Sequence, residues 1–195
     1  MKNRFLYVLA VFLIIFLIVP FSVEAQENEA FKKELFIKNS DTLNYRILFP
    51  KDFSEEREYP VVLFLHGAGE RGSDNEAQLT HGSKLFLEKQ EEFPAIVIFP
   101  QAPKEDYWAK VEVNRDSVPL QFNFMNKETA TKSLQLVMEL MDKMASKDYV
   151  NKDQIYVGGL SMGGMGTFEI IYKKPEMFAA AFAICGGANP EIAKE

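Results

Sequence analysis

The chain has 195 residues, of which 47% are hydrophobic and 26% charged, and its formal net charge is −6. This length and composition suit one globular domain with a sizeable core. The acidic balance argues against a nucleic-acid partner, which would need a basic face. Cys185 is the only cysteine, so a disulfide framework is excluded, and we expect this residue to be a small core side chain.

The first 25 residues have the pattern of a secretory signal peptide. A basic start, "MKNR", is followed by an apolar run over 5–19 and by "VEA", a small-residue cleavage signal that ends at Ala25. We expect cleavage after Ala25, export to the periplasm or the extracellular space, and a single domain over 26–195. The alternative is an uncleaved membrane anchor, although the apolar run is shorter than the roughly 20 residues that span a bilayer.

Five strands are predicted before the last helix. Residues 34–38 and 43–49 form two candidate strands, separated by the turn-prone "NSD" at 39–41. Three later apolar runs show no alternation, which is typical of strands buried on both faces of a parallel sheet. These runs occupy residues 61–66, 95–100 and 154–159.

Helical periodicity lies between and after these strands. One helix is predicted to begin at an N-cap on Asn126, with one apolar face formed by residues 130, 134, 137, 138, 141 and 144. A second helix is predicted from Met162 to Lys174, where Pro175 ends it. The apolar run 177–185 is then predicted as another buried strand. This order indicates an α/β fold with a mainly parallel sheet flanked by helices and an antiparallel opening pair at one edge.

A serine between glycines marks the start of the second helix. Gly159, Ser161 and Gly163 form a G-x-S-x-G pattern, with a β-rich run before it and a helix after it. Such a sharp strand-to-helix turn presents a serine hydroxyl as a nucleophile and leaves no room for large neighbours. We call residues 159–163 the nucleophile elbow. The alternative is a glycine-rich turn that serves only for tight packing.

An oxyanion hole would complete the acyl-transfer site. The backbone N–H of Met162, directly after the nucleophile, is one predicted donor. The second is expected from residues 66–72, "HGAGERG", which end an earlier buried strand and which we call the oxyanion loop. Its predicted donor is the N–H of Ala68, with Gly67 and Gly69 as neighbours. An anion-binding loop for phosphate is the alternative, but this segment lacks the lysine of a P-loop.

Together these segments resemble a known superfamily. "LFLHGAGERGSDNEAQL", "IVIFPQAP", "DQIYVGGLSMGGMGTFE" and "PEMFAAAFAICGGANP" are similar to the exported carboxylesterases of the α/β-hydrolase superfamily, across about Tyr59 to Pro190. Relatives of this kind are also described as predicted peptidases, phospholipase/carboxylesterases or feruloyl-esterase-like proteins. The resemblance implies an α/β-hydrolase fold, an acyl-enzyme on Ser161 and oxyanion donors at Ala68 and Met162, without a cofactor or a metal ion.

The same resemblance assigns supporting roles. It implies that His66 holds the oxyanion loop by hydrogen bonding and that Glu70 and Arg71 shape the substrate pocket. Gln101 and Trp108 are implied to line that pocket.

The catalytic base is the missing part of the pattern. In this superfamily the acid and then the histidine follow the nucleophile, but the 34 residues after Ser161 contain no histidine. We therefore expect an N-terminal portion of a hydrolase domain that lacks the C-terminal strands carrying the acid and base, and that has little turnover alone. The alternative base, His81, would break the superfamily's chain order.

The predicted substrate is a small-molecule or polysaccharide-linked ester. Two other functions stay open from the sequence: a non-catalytic binding protein on a hydrolase scaffold, and a serine peptidase of the same superfamily. A metal-dependent hydrolase lacks support because no H-E-x-x-H motif or histidine pair at ligand spacing occurs. Contact with a membrane is expected only through the N-terminal segment, if that segment stays uncleaved.

Overall fold

A computed structural model of the protein describes residues 29–114, 116–125 and 129–194. Its strands and α-helices in chain order are β1 (Lys32–Lys38), β2 (Asp41–Leu48), β3 (Tyr59–Leu65), α1 (Ser83–Glu88), β4 (Ile96–Gln101), β5 (Val111–Asn114), β6 (Gln121–Phe124), α2 (Lys132–Ala145), β7 (Val150–Leu160), α3 (Met162–Lys173) and β8 (Ala180–Ile184). The predicted signal segment and Asn126 lie outside the described residues. In the three described ranges no helix is long and apolar enough to cross a membrane.

The main sheet has six strands in the order β1-β2-β4-β3-β7-β8. β1 pairs with β2, and β2 with β4, in antiparallel fashion, whereas β4, β3, β7 and β8 are mutually parallel. This confirms the predicted mainly parallel sheet with an antiparallel pair at one edge. Because β3 and β7 are parallel neighbours, the loops that follow them leave the sheet side by side.

Both faces of the sheet are covered by apolar side chains. On one face a large cluster joins the central strands to α2 and α3. On the other face Phe64 and Phe99 pack against Phe86 of α1, with ring centroids 5.9 and 5.8 Å from that ring. All six residues of β4 are buried, which explains why its sequence shows no alternation of apolar and polar residues.

Helix α2 confirms the predicted apolar face but begins later than predicted. Ala130, Leu134, Val137, Met141 and Met144 are buried, and Met138 packs partly buried against the same cluster. The helix begins at Lys132, because Oγ1 of Thr131 accepts a hydrogen bond from the N–H of Leu134 (3.3 Å) and so caps the helix.

The prediction of a buried strand over 177–185 is wrong about burial. β8 pairs only with β7 among the described strands, and all five of its residues are exposed, including Phe182 (40%) and Ile184 (44%). Cys185, which follows β8, is exposed as well, so the expectation of a core cysteine is also wrong. The apolar composition was read correctly as a strand, but its place at the sheet edge decides its exposure.

A two-stranded hairpin between β4 and α2 was not predicted. β5 and β6 pair antiparallel, with Val111 opposite Phe124 and Asn114 opposite Gln121. The Phe124 ring lies close to Gly187, because a Cβ on that glycine would be 3.1 Å from Cζ of the ring. Gly187 follows β8, so the hairpin lies at the carboxyl end of the parallel strands.

A buried guanidinium joins β2 to the segment that follows the oxyanion loop. Arg46 is 3% exposed, and its Nε donates to the carbonyl of Asn75 (2.5 Å) while Nη1 donates to the carbonyl of Phe31 (2.6 Å). Its Nη2 forms an ion pair with Glu76 at 2.6 Å. Charge-assisted bonds of this kind hold the chain segment 74–76 against the antiparallel edge of the sheet.

We predict that Arg46→Ala lowers the free energy of unfolding by about 3 kcal/mol, because buried carbonyls and the Glu76 carboxylate lose their donor. Urea unfolding followed by circular dichroism would measure this change. Arg57→Ala is the matched control at an exposed arginine and should change stability by about 0.5 kcal/mol or less. Equal effects of the two substitutions would contradict the role assigned to Arg46.

Candidate active site

The nucleophile elbow and the oxyanion loop are in direct contact. A Cβ on Gly163 would lie 1.8 Å from the carbonyl oxygen of Leu65 and 2.9 Å from that of His66. A Cβ on Gly159 would lie 2.8 Å from the same Leu65 oxygen and 2.4 Å from the backbone of Gly163. Only glycine fits such approaches, so the two G positions of the G-x-S-x-G pattern let β7 and α3 close onto the end of β3.

Ser161 occupies a strained backbone conformation. Its φ of 55° and ψ of −111° lie in a region that residues with a Cβ rarely adopt, and its side chain is exposed. The N–H of Ser161 donates to the carbonyl of Ile184 (2.7 Å), and its own carbonyl accepts from the N–H of Met165 (3.0 Å). These bonds on both sides hold the serine at the turn between β7 and α3.

Two backbone N–H groups begin helical turns next to this serine. Met162 is the first residue of α3, and Ala68 is the first residue of a 3₁₀ turn over Ala68–Glu70. The N–H groups in the first turn of a helix have no partner within that helix, and the positive end of the helix dipole lies there. The Met162 side chain is buried (1% exposed) and anchors its peptide group. The arrangement suits binding of a developing oxyanion.

His66 is a buried hydrogen-bonding residue at the base of the oxyanion loop. Its Nδ1 lies 2.6 Å from the carbonyl oxygen of Gly67, and its Nε2 accepts from the N–H of Ala102 (3.0 Å). These partners assign the proton to Nδ1. Burial lowers the pKa of His66 from 6.5 to about 4. The imidazole is therefore neutral near pH 7 with both nitrogens engaged, which leaves neither free to take a proton from Ser161.

Gln101 and Trp108 hold the segment from 66 to 75 in place. Gln101 is 2% exposed, and its Nε2 donates to the Glu70 carbonyl (3.2 Å) while its Oε1 accepts from the N–H of Asn75 (2.8 Å). Trp108 is fully buried and its Nε1 donates to the carbonyl of His66 (3.0 Å). The resemblance implied that both line the pocket, but their burial beneath the loop makes them its supports instead.

Glu70 and Arg71 form the outer part of the oxyanion loop, and His81 lies beside Glu70. Arg71 donates from Nε to the Ala68 carbonyl (3.0 Å) and from Nη1 to the Lys104 carbonyl (2.7 Å). Glu70 is mostly buried, and its Oε1 lies 3.6 Å from Nε2 of His81. His81 is exposed just before α1. Its Nε2 is directed to Glu70.

Within the described ranges the hydroxyl of Ser161 has no hydrogen-bond partner. His66 is engaged at both nitrogens, and His81, with Nε2 3.6 Å from Glu70, forms no hydrogen bond with Ser161. Glu169 lies eight residues into α3, about 12 Å along the helix axis from the nucleophile. Burial raises the pKa of Glu169, and Lys173 is its ion-pair partner at 3.6 Å. Among the described residues, no side chain is therefore positioned to act as a base toward Ser161, the predicted nucleophile.

Comparison with known families matches this chain to esterases. The model of the Esterase family, described as "Putative esterase", matches residues 40–193. The chain belongs to this family. A thermostable esterase of known structure is 32% identical, with a TM-score of 0.73 over 87% of this chain. No curated protein sequence matches the chain.

More distant solved structures share the α/β-hydrolase fold of this esterase-family chain. An S-formylglutathione hydrolase from Staphylococcus aureus is 18% identical over 81% of the chain, with a TM-score of 0.58. A ferulic acid esterase from the fungus Anaeromyces mucronatus is 18% identical over 82% of the chain, with a TM-score of 0.56. The chain spans 44% of the thermostable esterase, 57% of the hydrolase and 59% of the ferulic acid esterase.

The residues predicted for the site come together at the ends of β3 and β7. They are His66, Gly67, Ala68 and Gly69 on one loop and Gly159, Ser161, Met162 and Gly163 on the other. Their catalytic roles stay predictions. The sequence reading missed the hydrogen bonds of Gln101 to Asn75 and to Asp74 (2.8 and 2.9 Å), because residues about 26 positions apart show no local pattern.

We predict that Gly163→Ala destabilises this esterase-family domain by at least about 3 kcal/mol, because its Cβ would overlap the Leu65 carbonyl. The control is Gly69→Ala in the oxyanion loop, where no atom lies within 4 Å of a new Cβ. That substitution should change stability by about 1 kcal/mol or less. Thermal unfolding followed by circular dichroism would compare the two, and a stable Gly163→Ala protein would contradict the tight approach.

We predict a pH-dependent loss of stability that comes from His66. The unfolded histidine binds a proton as the pH falls below 6.5, whereas the folded one does so only near 4, so the stability of the folded state falls between these values. The loss should approach about 3 kcal/mol at the acidic end. Urea unfolding of the wild type and of His66→Gln, at pH 7.5 and pH 4.5, would measure it.

Carboxylates titrate in both proteins, so the difference between the two pH dependences isolates the contribution of His66. An equal loss of unfolding free energy between pH 7.5 and pH 4.5 in the wild type and the variant would show that His66 is not held neutral.

Proposed function

We propose that the complete protein is a serine-dependent carboxylic ester hydrolase that works through an acyl-enzyme on Ser161. The observation that carries this proposal is the exposed Ser161 at φ 55°, on the turn where α3 begins beside the oxyanion loop. A turn that serves only for packing does not require an exposed serine in a strained conformation. A nucleophilic serine does, because the sharp turn presents its hydroxyl to the substrate. Membership of the esterase family supports the same chemistry.

The proposed reaction is acyl transfer from the ester to water. The oxygen of Ser161 attacks the ester carbonyl carbon, and its proton passes to a general base. The N–H groups of Met162 and Ala68 stabilise the oxyanion of the tetrahedral intermediate. The alcohol then leaves with a proton from the base, and water releases the acid from Ser161 by the same steps.

We propose that the base and the acid come from sequence outside these 195 residues. The chain's two histidines are His66, which is neutral and engaged at both nitrogens, and His81, which forms no hydrogen bond with Ser161 and precedes it in the chain. The chain spans less than three fifths of each solved structure reported above. On this proposal the chain alone has little turnover, because a triad without its histidine loses most of its rate.

The proposed setting is outside the cytoplasm, with residues 1–25 as a cleaved signal peptide and 26–195 as part of the hydrolase domain. The proposed substrates are small-molecule esters or esters linked to polysaccharides. The shared fold with a ferulic acid esterase supports the second class, and export would bring the enzyme to extracellular material.

The test compares this chain with an extended polypeptide, which is obtained by translating the natural DNA sequence beyond codon 195. Both are incubated with a fluorophosphonate probe and assayed with 4-nitrophenyl acetate. The extended protein should label on Ser161 and hydrolyse the ester, and Ser161→Ala should lower its rate by at least about a thousandfold. The 195-residue chain should be nearly inactive.

Two outcomes would contradict the proposal. Full activity of the 195-residue chain that His81→Ala abolishes would make His81 the base. An extended protein that neither labels nor hydrolyses the ester, although folded by circular dichroism, would favour a binding protein on a hydrolase scaffold.

A further inference from the structure

The carboxylate of Glu70 lies where the oxyanion loop meets the nucleophile elbow. A Cβ on Gly67 would be 2.8 Å from Oε2 of Glu70 and 3.5 Å from the carbonyl oxygen of Leu160, the residue before Ser161. Because Gly67 has no side chain, no side-chain atom of this residue lies between the Glu70 carboxylate and the elbow. Glu70 is also two residues from Ala68, a proposed oxyanion donor. A formal negative charge therefore borders the place where the ester would bind.

This charge is only weakly compensated. Its Oε1 faces the exposed His81 at 3.6 Å, and no hydrogen bond to either carboxylate oxygen is formed within residues 29–114, 116–125 and 129–194. The adjacent cation, Arg71, turns away: its guanidinium donates to the Ala68 and Lys104 carbonyls and stacks on Tyr107 at 4.9 Å. The Glu70 side chain is 14% exposed, so solvent screens it less than a surface carboxylate.

We infer that Glu70 is a specificity-determining residue that selects esters by charge, an inference that rests on the proposed ester hydrolysis at Ser161. It disfavours esters that carry a carboxylate near the scissile bond and favours those that carry a cation there. The physical reason is direct Coulomb interaction at the mouth of the site. For charges a few ångströms apart near a protein surface, this interaction is large enough for about a tenfold change in kcat/KM.

The experiment measures kcat/KM of the polypeptide read through its natural locus for three 4-methylumbelliferyl esters. These are the neutral butyrate, the anionic hemisuccinate and the cationic 4-(trimethylammonio)butyrate. The readouts are the anionic-to-neutral and the cationic-to-neutral ratios, because a ratio cancels any general effect of a substitution on the oxyanion or on folding. Glu70→Gln removes the charge and keeps the shape of the side chain.

We expect Glu70→Gln to raise the anionic-to-neutral ratio about tenfold and to lower the cationic-to-neutral ratio by a similar factor. The matched control is Glu105→Gln, which removes the same formal charge from an exposed residue in the segment after β4 and should leave both ratios within about twofold. Glu70→Asp keeps the charge and should preserve the direction of both preferences.

Ratios in Glu70→Gln that equal those of the wild type would overturn the inference while the proposed function stands. A Glu70→Asp protein that shifts both ratios as Glu70→Gln does would also overturn it, because shape rather than charge would then matter. Absence of butyrate hydrolysis and of fluorophosphonate labelling in the wild type would overturn the proposed function and this inference together.

Discussion

The contact of Gly163 with the carbonyl of Leu65 sets the geometry on which the site depends. Parallel pairing of β3 and β7 brings their carboxyl ends together, but only this close approach seats the first turn of α3 against the oxyanion loop. The exposed Ser161 then stands between β7 and α3 at a backbone conformation that its neighbours maintain. Without that contact, the turn that carries Ser161 and Met162 would not lie against the loop that carries Ala68.

Buried polar side chains hold the oxyanion loop in place by hydrogen bonding, and they take no part in proton transfer. His66 accepts from Ala102, Trp108 donates to His66, and Gln101 bonds to the Glu70 carbonyl. Burial disfavours the charged form of the His66 imidazole, which is why its pKa falls to about 4. The histidine at the start of the loop is thus a support, and the same burial removes it from the candidates for a catalytic base.

Most of the fold could be predicted from the sequence because its central strands and α2 carry strong apolar patterns. The misses have separate physical causes. The run around Phe182 and Cys185 is apolar like a core strand, yet edge position left it exposed. Helix α2 starts later than predicted because Thr131 caps it. The hairpin of β5 and β6 was missed because its two strands are short. Such strands are stabilised by pairing with each other and carry little apolar pattern in the sequence.

The sequence by itself determined the elbow and the superfamily. The tight turn at Ser161 requires glycine at fixed local positions, and this spacing can be recognised in the sequence. It also showed that both histidines of the chain, His66 and His81, precede Ser161. Only the tertiary structure showed which polar residues support the oxyanion loop and which border the candidate site. It showed that Gln101 and Trp108 lie under the loop and that Glu70 faces the elbow, because these contacts join residues far apart in the chain.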